Sequence, residues 1–195
     1  MRRFELWSAI RPAKRAMGDD KGATAVEFAI VVVPFFGLLL LILQVGLFHF
    51  SLQSLDFAVR QAGRMIMTGQ VATGSSSAAT FKTTYVCPNV FWGMSCDKLV
   101  INSYIVGKTS DAATGAGVYS YIDAKAKALL APQTNPTQQK FCLGAPGDYV
   151  YLDVAYPYPN YVRKLLGADS PETWVMRSST VVYNEPNKKN AGASC

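Results

Sequence analysis

The longest run of apolar residues extends from Phe28 to Leu55 and contains no Asp, Glu, Lys or Arg. Its first part, Phe28–Phe50, has 23 residues. As an α-helix this part would be about 34 Å long, at about 1.5 Å per residue. The hydrocarbon core of a bilayer is about 30 Å thick, so the segment predicts a transmembrane helix at about 28–50.

Towards the end of this run the apolar residues become confined to one face of the predicted helix, and this stripe continues beyond the run. They recur every three or four residues, which places them on one face of a helix. The stripe consists of Val45, Phe48, Leu52, Leu55, Val59, Ala62 and Ile66. We therefore expect one helix over 23–68, with its second half packed on a domain and with a kink at Pro34. The Gly- and Ser-rich residues 69–77 predict a loop.

Short elements follow in the remaining sequence. Residues 78–92 predict a helix that Pro88 breaks or ends, and Tyr119–Leu130 predicts another, with Ile122, Ala126 and Leu129 on one side. Alternating or β-branched residues predict three strands, at Leu99–Val106, 149–156 and 174–183. The prolines in Tyr156–Asn160 are expected to end the middle strand. The predicted class is α+β: a long N-terminal helix on a small, mainly antiparallel sheet.

Charge orients the helix in the membrane. The chain has 19 basic and 13 acidic side chains. Residues 1–22 hold six of the basic ones and three of the acidic ones, so the rest is only slightly basic. This distribution fits the positive-inside rule and does not indicate a nucleic-acid partner. We expect a cytoplasmic leader at 1–22, the helix at 23–68 and an extracytoplasmic domain at 69–195.

The head of the apolar run carries one carboxylate, Glu27. A small-residue site at Gly22–Ala23 precedes the run, whereas in a secretory signal it would follow it. One interpretation is an uncleaved signal anchor in which Glu27 sits at the interface, favoured there by the helix dipole. The other is cleavage between Gly22 and Ala23, which would leave Glu27 as the fifth residue.

The segment Gly22-Ala-Thr-Ala-Val-Glu-Phe28, behind a basic leader and before an apolar helix with Pro34, resembles a prepilin-class signal. It is similar to the TadE-like minor pilins, or pseudopilins, of tight-adherence (Flp/Tad) type IV pilus systems. The ending Asn184-Glu-Pro186 is also similar to that family. The major pilins of these systems usually have Tyr after the Glu and are short, so Phe28 and the long C-terminal part indicate a minor subunit.

The resemblance implies a function and a set of partners. A prepilin peptidase would cut after Gly22, and Glu27 would pair with the Ala23 amine of a neighbouring subunit. Phe28, Pro34 and Phe48 would pack in the transmembrane bundle. The expected partners are the bacterial inner membrane, the peptidase, and major and minor pilins with their assembly machinery, in a homo- or hetero-oligomer. The alternative is an unprocessed, membrane-anchored binding or adhesion domain.

Four cysteines, Cys87, Cys96, Cys142 and Cys195, lie beyond the span. In an oxidising compartment they favour disulfides; a metal site or free thiols are the alternative, although the spacing fits no compact zinc pattern. We expect Cys87–Cys96, a short separation that a helix-to-strand turn can close. We also expect Cys142–Cys195, since both would lie at the same end of the antiparallel pair formed by strands 149–156 and 174–183.

Enzymatic chemistry is not expected. The sequence lacks a phosphate-binding loop, a nucleophile elbow and a His-Glu-x-x-His motif, and its single histidine, His49, lies in the apolar run. No cofactor or metal is expected. Asp111, Asp123, Asp148 and Asp153 are interpreted as solvated or strand positions. The tyrosines of 149–161 are interpreted as sheet packing or subunit contacts, with glycan or surface binding as the alternative.

Overall fold

The computed structural model describes residues 20–71, 77–108, 113–123, 125, 128–161 and 173–185. The predicted leader lies almost wholly outside these residues, as do the tail after Glu185 and Cys195. By internal contacts the chain divides into two units, Met1–Gly46 and Leu47–Cys195.

The dominant element is helix α1, Asp20–Met67, which is continuous through Pro34. It starts slightly before the predicted start at residue 23. It ends in a Schellman motif, where Gly69 adopts a φ of 66° and Gln70 donates its N–H to the carbonyl of Met65 at 2.9 Å. Only a residue without a Cβ adopts this left-handed conformation without strain, so the glycine fixes the end of the helix.

The second half of α1, from Leu47 onward, packs on the C-terminal unit. Its buried face comprises Leu55, Ala58, Val59, Ala62 and Ile66. The predicted stripe is thus confirmed from Phe48 onward, while Val45 is exposed and Ala58 is an addition. Burying a Leu, Val or Ile side chain contributes about 1.5–3 kcal/mol, so this face is a main source of stability in the unit.

The segment after α1 is helical in three short turns. Helix α2, Ala78–Phe81, is capped by the Ser77 side chain and runs into a π-helical turn at Lys82–Val86. A 3-10 turn at Cys87–Asn89, with Pro88 inside it, ends the helical stretch. The predicted helix with a proline stop is confirmed in outline.

Three strands form the main antiparallel sheet: β1 (Val100–Val106), β4 (Tyr149–Pro159) and β5 (Thr173–Tyr183). Their order is β1-β4-β5, so β4 is central and β5 lies at an edge. Two-residue strands β2 (Ile122–Asp123) and β3 (Ala128–Leu129) form a separate small ladder. The α+β class, with a long N-terminal helix on a small antiparallel sheet, is confirmed.

The prediction that prolines end the central strand near Tyr156 is wrong. β4 continues to Pro159, and both Pro157 and Pro159 have partners in β5. β1 is shorter than β4, and its pairing with β4 stops at Ala155. The prolines therefore lie where β4 has a neighbour on one side only.

The hydrogen-bond pattern explains why the prolines are tolerated. Ser103 of β1 stands opposite Leu152 but donates its N–H to the Lys140 carbonyl, away from β4. The pairs that bond across β1 and β4 are therefore the odd-numbered positions of β4. Pro157 and Pro159 share that parity, so their nitrogens face the side where β1 has ended and remove no ladder donor.

The predicted helix at Tyr119–Leu130 is also wrong. A 3-10 turn, Gly117–Tyr121, leads instead into β2 and β3, and the Leu130 N–H bonds to the Tyr121 carbonyl at 2.8 Å. Tyr121 stacks on Tyr151 of β4, with ring centroids 4.7 Å apart. This tertiary contact holds the segment against the sheet and overrides the local helical spacing.

Candidate anchoring and assembly segment

The N-terminal half of α1 has the features predicted for a membrane segment. Within residues 24–43 no side chain is buried, and Phe28 retains 69% of its exposure. A continuous apolar surface of this kind on a protein marks a site that another apolar phase or partner covers. By length and composition, α1 from Thr24 onward can cross a membrane.

Glu27 is the only carboxylate between Lys21 and Asp56, and it is exposed on the helix. Gly22 is also exposed, and the Gly22–Ala23 bond lies near the start of α1. Phe28 follows Glu27 directly, and Pro34 lies two turns further on without ending the helix. These four predicted site residues thus share one exposed helical segment.

Phe48 lies in a different environment from the other predicted packing residues. Its ring makes edge contacts with Tyr158 of β4 and Trp174 of β5, at centroid distances of 5.5 and 5.4 Å. Phe48 is half-buried on the core of the C-terminal unit. This side chain therefore marks where α1 passes from the exposed segment to the packed one.

Close packing between α1 and the sheet depends on Gly63. A Cβ added there would lie 3.0 Å from a methyl of Val182 and 3.3 Å from one of Thr180. A polar contact adds to this packing, because the Ser178 hydroxyl donates to Asp56 Oδ1 at 2.9 Å. Asp56 also pairs with Arg60 one turn later. The residues in the Ser178–Asp56 contact are 122 positions apart, and no sequence pattern indicated it.

Asn184 locks the C-terminal end of β5. It is only 2% exposed. Its main-chain carbonyl accepts the Gly147 N–H at 2.7 Å, and its main-chain N–H donates to the Asp148 carbonyl at 2.9 Å. Its side-chain amide donates to the Leu143 carbonyl at 3.3 Å. The next residue, Glu185, donates its N–H to the Met67 carbonyl at the end of α1. The Asn-Glu pair of the ending thus ties α1, β5 and the loop before β4 together.

The disulfide Cys87–Cys96 is present, which confirms that predicted pairing. It closes the segment between the helical turns and β1. Cys142 is also disulfide-bonded, but the predicted partner, Cys195, lies outside the described residues.

A buried ion pair lies on the sheet face opposite α1. Arg177 Nε donates to Asp153 Oδ1 at 2.6 Å, and its Nη2 donates to Oδ2 at 3.1 Å and to the Tyr151 hydroxyl at 2.9 Å. Burial raises the pKa of Asp153, and the hydrogen bonds and charge of Arg177 offset part of that rise. Asp153 is a strand residue, as expected, but it is buried and not solvated.

The other candidate carboxylates and tyrosines have structural contacts. Asp148 accepts the Ala145 N–H, Asp123 accepts the Lys125 N–H, and Asp111 lies outside the described residues. In the tyrosine-rich segment, Tyr151, Tyr156 and Tyr158 are buried, whereas Tyr149 and Tyr161 are exposed. Within the described ranges no group of three or more His, Cys, Asp or Glu side chains could hold a metal.

Together these features define a class: a protein with an N-terminal helix that is long and apolar enough to cross a membrane and that continues into a small α+β unit. The TadE-like protein family matches residues 22–64, from the predicted cleavage site to the last turns of α1. This match confirms the TadE-like resemblance over the helix. No curated protein and no solved structure matches the chain.

Proposed function

We propose that this protein is a minor pilin, or pseudopilin, that takes part in the assembly or initiation of a tight-adherence type IV pilus. A prepilin peptidase removes residues 1–22, and the exposed half of α1 then moves from lipid into a bundle of pilin helices. The observation that carries the proposal is an exposed apolar helical segment at 28–43, headed by the single carboxylate Glu27, within a run from Phe28 to Leu55 that has no charge.

The role of Glu27 follows from electrostatics. A carboxylate moved into an apolar bundle without a partner costs several kcal/mol. Cleavage after Gly22 creates an α-amine on Ala23, which is four residues from Glu27 and close to it along the helix axis. The Ala23 amine of a neighbouring subunit supplies the positive charge, so assembly depends on processing. The match to the TadE-like family begins at Gly22 and supports this register.

Replacement of Gly22 tests processing. In cells that contain the peptidase, Gly22→Val is expected to leave a precursor that keeps residues 1–22, whereas the wild type yields a chain that starts at Ala23. Intact-mass spectrometry of the purified protein distinguishes the two. Gly18→Val, four residues upstream, is the matched control and is expected to be processed normally. A wild-type protein that retains its N-terminal residues would contradict the proposal.

Replacement of Glu27 tests assembly separately. Glu27→Gln is expected to be cleaved and inserted but not incorporated with other pilins, because the neighbouring amine loses its counter-charge. Glu27→Asp keeps the charge and should restore part of the incorporation. The measurement is cross-linking of the subunit to partner pilins in membranes. Equal incorporation of the Gln variant and the wild type would rule out the ion pair.

The orientation in this proposal has the N-terminus in the cytoplasm of a bacterium and the C-terminal unit in the periplasm or on the pilus. The disulfides support an oxidising compartment for that unit. The role is structural and not enzymatic, and it needs no cofactor. The second candidate is a permanently anchored binding or adhesion domain; it would be favoured if the mature chain begins at Met1 or Arg2.

A further inference from the structure

Aromatic side chains surround α1 at residues 48–50, within the C-terminal unit. They come from α1, from the loop before β1 and from the ends of β4 and β5. We call this set the aromatic collar. It consists of Phe48, Phe50, Phe91, Trp92, Tyr158, Tyr161 and Trp174.

One side of the collar is open. The Phe50 ring makes an edge contact with Phe91 at 5.0 Å, and Phe91 contacts Trp92 at 5.1 Å. Trp92 is 90% exposed and Phe50 is 54% exposed. Large aromatic rings are usually buried, because removing their apolar surface from water is favourable. The exposure of these two rings therefore indicates a surface that another apolar phase covers.

The loop that carries Trp92 is held firmly in place. The disulfide Cys87–Cys96 closes it, the Met94 N–H bonds to the Phe91 carbonyl at 2.8 Å, and Met94 is buried. At its end, the Ser95 N–H donates to the Tyr156 hydroxyl at 3.2 Å. The exposure of Trp92 is therefore a built feature of the fold.

The other side of the collar is formed by the sheet. Phe48 packs edge-on against Tyr158 and Trp174, and Tyr158 contacts the exposed ring of Tyr161 at 6.3 Å. Aromatic rings thus lie on two sides of α1 at the same level along the helix. At this level the predicted transmembrane span ends, and Asp56, the first charged residue after Glu27, follows shortly after it.

We propose that the aromatic collar sits in the headgroup interface of the bilayer and that lipid is a direct ligand of the C-terminal unit. Trp and Tyr concentrate at this depth because their rings are apolar and their N–H or O–H groups are polar. Residues 77–96 contain no Asp or Glu, so nothing in the Trp92 segment repels anionic headgroups. The inference rests on the proposed membrane anchoring, and it adds that the unit lies against the membrane before assembly.

Fluorescence of the full chain in phospholipid vesicles tests the collar. The three tryptophans are Trp7, Trp92 and Trp174. Trp7→Phe with Trp174→Phe leaves Trp92 as the only emitter. Lipids with a nitroxide near the headgroup should quench most of its emission, and lipids with a nitroxide deep in the acyl chain should quench much less.

The matched control places the emitter at the other end of β5. In a chain with all three tryptophans replaced by Phe, Tyr183→Trp introduces an exposed indole about 30 Å from position 174, at about 3.3 Å per strand residue. This indole is expected to escape both nitroxides. Trp92→Phe in the otherwise native chain provides a second measurement: the shallow-quenched part of the total emission should decrease, with the remainder from Trp174 of the same collar.

The outcomes separate the two proposals. If Trp92 is not quenched while the protein resists carbonate extraction, the anchor stands and the collar proposal is overturned. An unquenched but blue-shifted Trp92 would also overturn it and would indicate a protein partner for the collar. If carbonate removes the protein from the vesicles, the membrane anchoring itself fails, and the collar proposal fails with it.

Discussion

The two halves of α1 use similar residues in opposite ways. Over 24–46 leucines and phenylalanines point in every direction and remain exposed, whereas over 47–67 one stripe of apolar side chains is buried on the sheet: Leu55, Ala58, Val59, Ala62 and Ile66. Leu38 is 60% exposed and Leu55 is 0% exposed. The difference shows that the distribution of apolar residues around a helix, more than their number, indicates whether lipid or protein is its solvent.

The comparison is tested most strongly by truncating one leucine in each half. Leu55→Ala removes a fully buried side chain from the core of the C-terminal unit and should lower its free energy of unfolding by about 2–5 kcal/mol. Leu38→Ala should change it by less than about 0.5 kcal/mol, because Leu38 has no part in that core. Denaturant titration of the full chain in detergent micelles, followed by near-UV circular dichroism, measures both. Equal losses would contradict the division.

Much of this contrast could be predicted from sequence. The charge-free run, the stripe from Phe48 onward and the alternation in β4 are local patterns, and periodicity fixes their structure. The Cys87–Cys96 pairing was also predictable, because a separation of nine residues leaves the two cysteines within easy reach in a compact turn. These features need no knowledge of distant residues.

The errors occurred where a distant partner decides the structure. Tyr119–Leu130 has a helical spacing, but the stacking of Tyr121 on Tyr151 holds it in another conformation. The prolines of Tyr156–Asn160 predict an end of β4, but β1 stops pairing at Ala155, so these prolines remove no hydrogen bond from the sheet. The same distinction holds for the candidate site. The predicted cleavage motif and Glu27 lie within one short sequence segment and could be recognised there. The hydrogen bonds of Asn184 join parts of the chain that are far apart in sequence, and no spacing rule connects them.

Removal of the short disulfide tests whether the packed half depends on covalent support. Cys87→Ser with Cys96→Ser should lower the free energy of unfolding of the C-terminal unit by about 2–4 kcal/mol, because the unfolded chain regains the freedom of the closed loop. The insertion of the exposed half into membranes should not change. Urea titration and carbonate extraction measure the two effects. A loss of membrane insertion would show that the two halves are coupled.

Asn184 tests the connection between the end of α1 and the sheet. Asn184→Ala leaves the part-buried carbonyl of Leu143 without its side-chain donor and should lower the free energy of unfolding by about 1–3 kcal/mol. Asn89→Ala is the control, because Asn89 is exposed and donates only to the carbonyl of its own helical turn. Thermal unfolding of both variants gives the difference. If both variants lose the same free energy of unfolding, the hydrogen bonds of Asn184 do not hold the end of α1 and the sheet together.

The smallest effect, and the sharpest comparison, comes from two glycines of the same helix. Alanine in place of glycine favours a helix by roughly 1 kcal/mol where space allows. At Gly37 nothing lies within 4 Å of an added Cβ, so Gly37→Ala should leave the C-terminal unit unchanged and increase the helicity of the exposed half.

At Gly63 the same methyl group meets two side chains that cannot easily withdraw. Val182 and Thr180 are β-branched, so their χ1 angles are restricted, and both lie on a strand fixed by its ladder to β4. Overpacking of this kind typically costs about 1–3 kcal/mol, which exceeds the gain in helix propensity. Gly63→Ala should therefore lower the stability of the unit by about 1 kcal/mol, as measured by denaturant titration beside Gly37→Ala. A gain in stability at Gly63 would mean that α1 can move away from the sheet, and that its second half is held less tightly than its burial indicates.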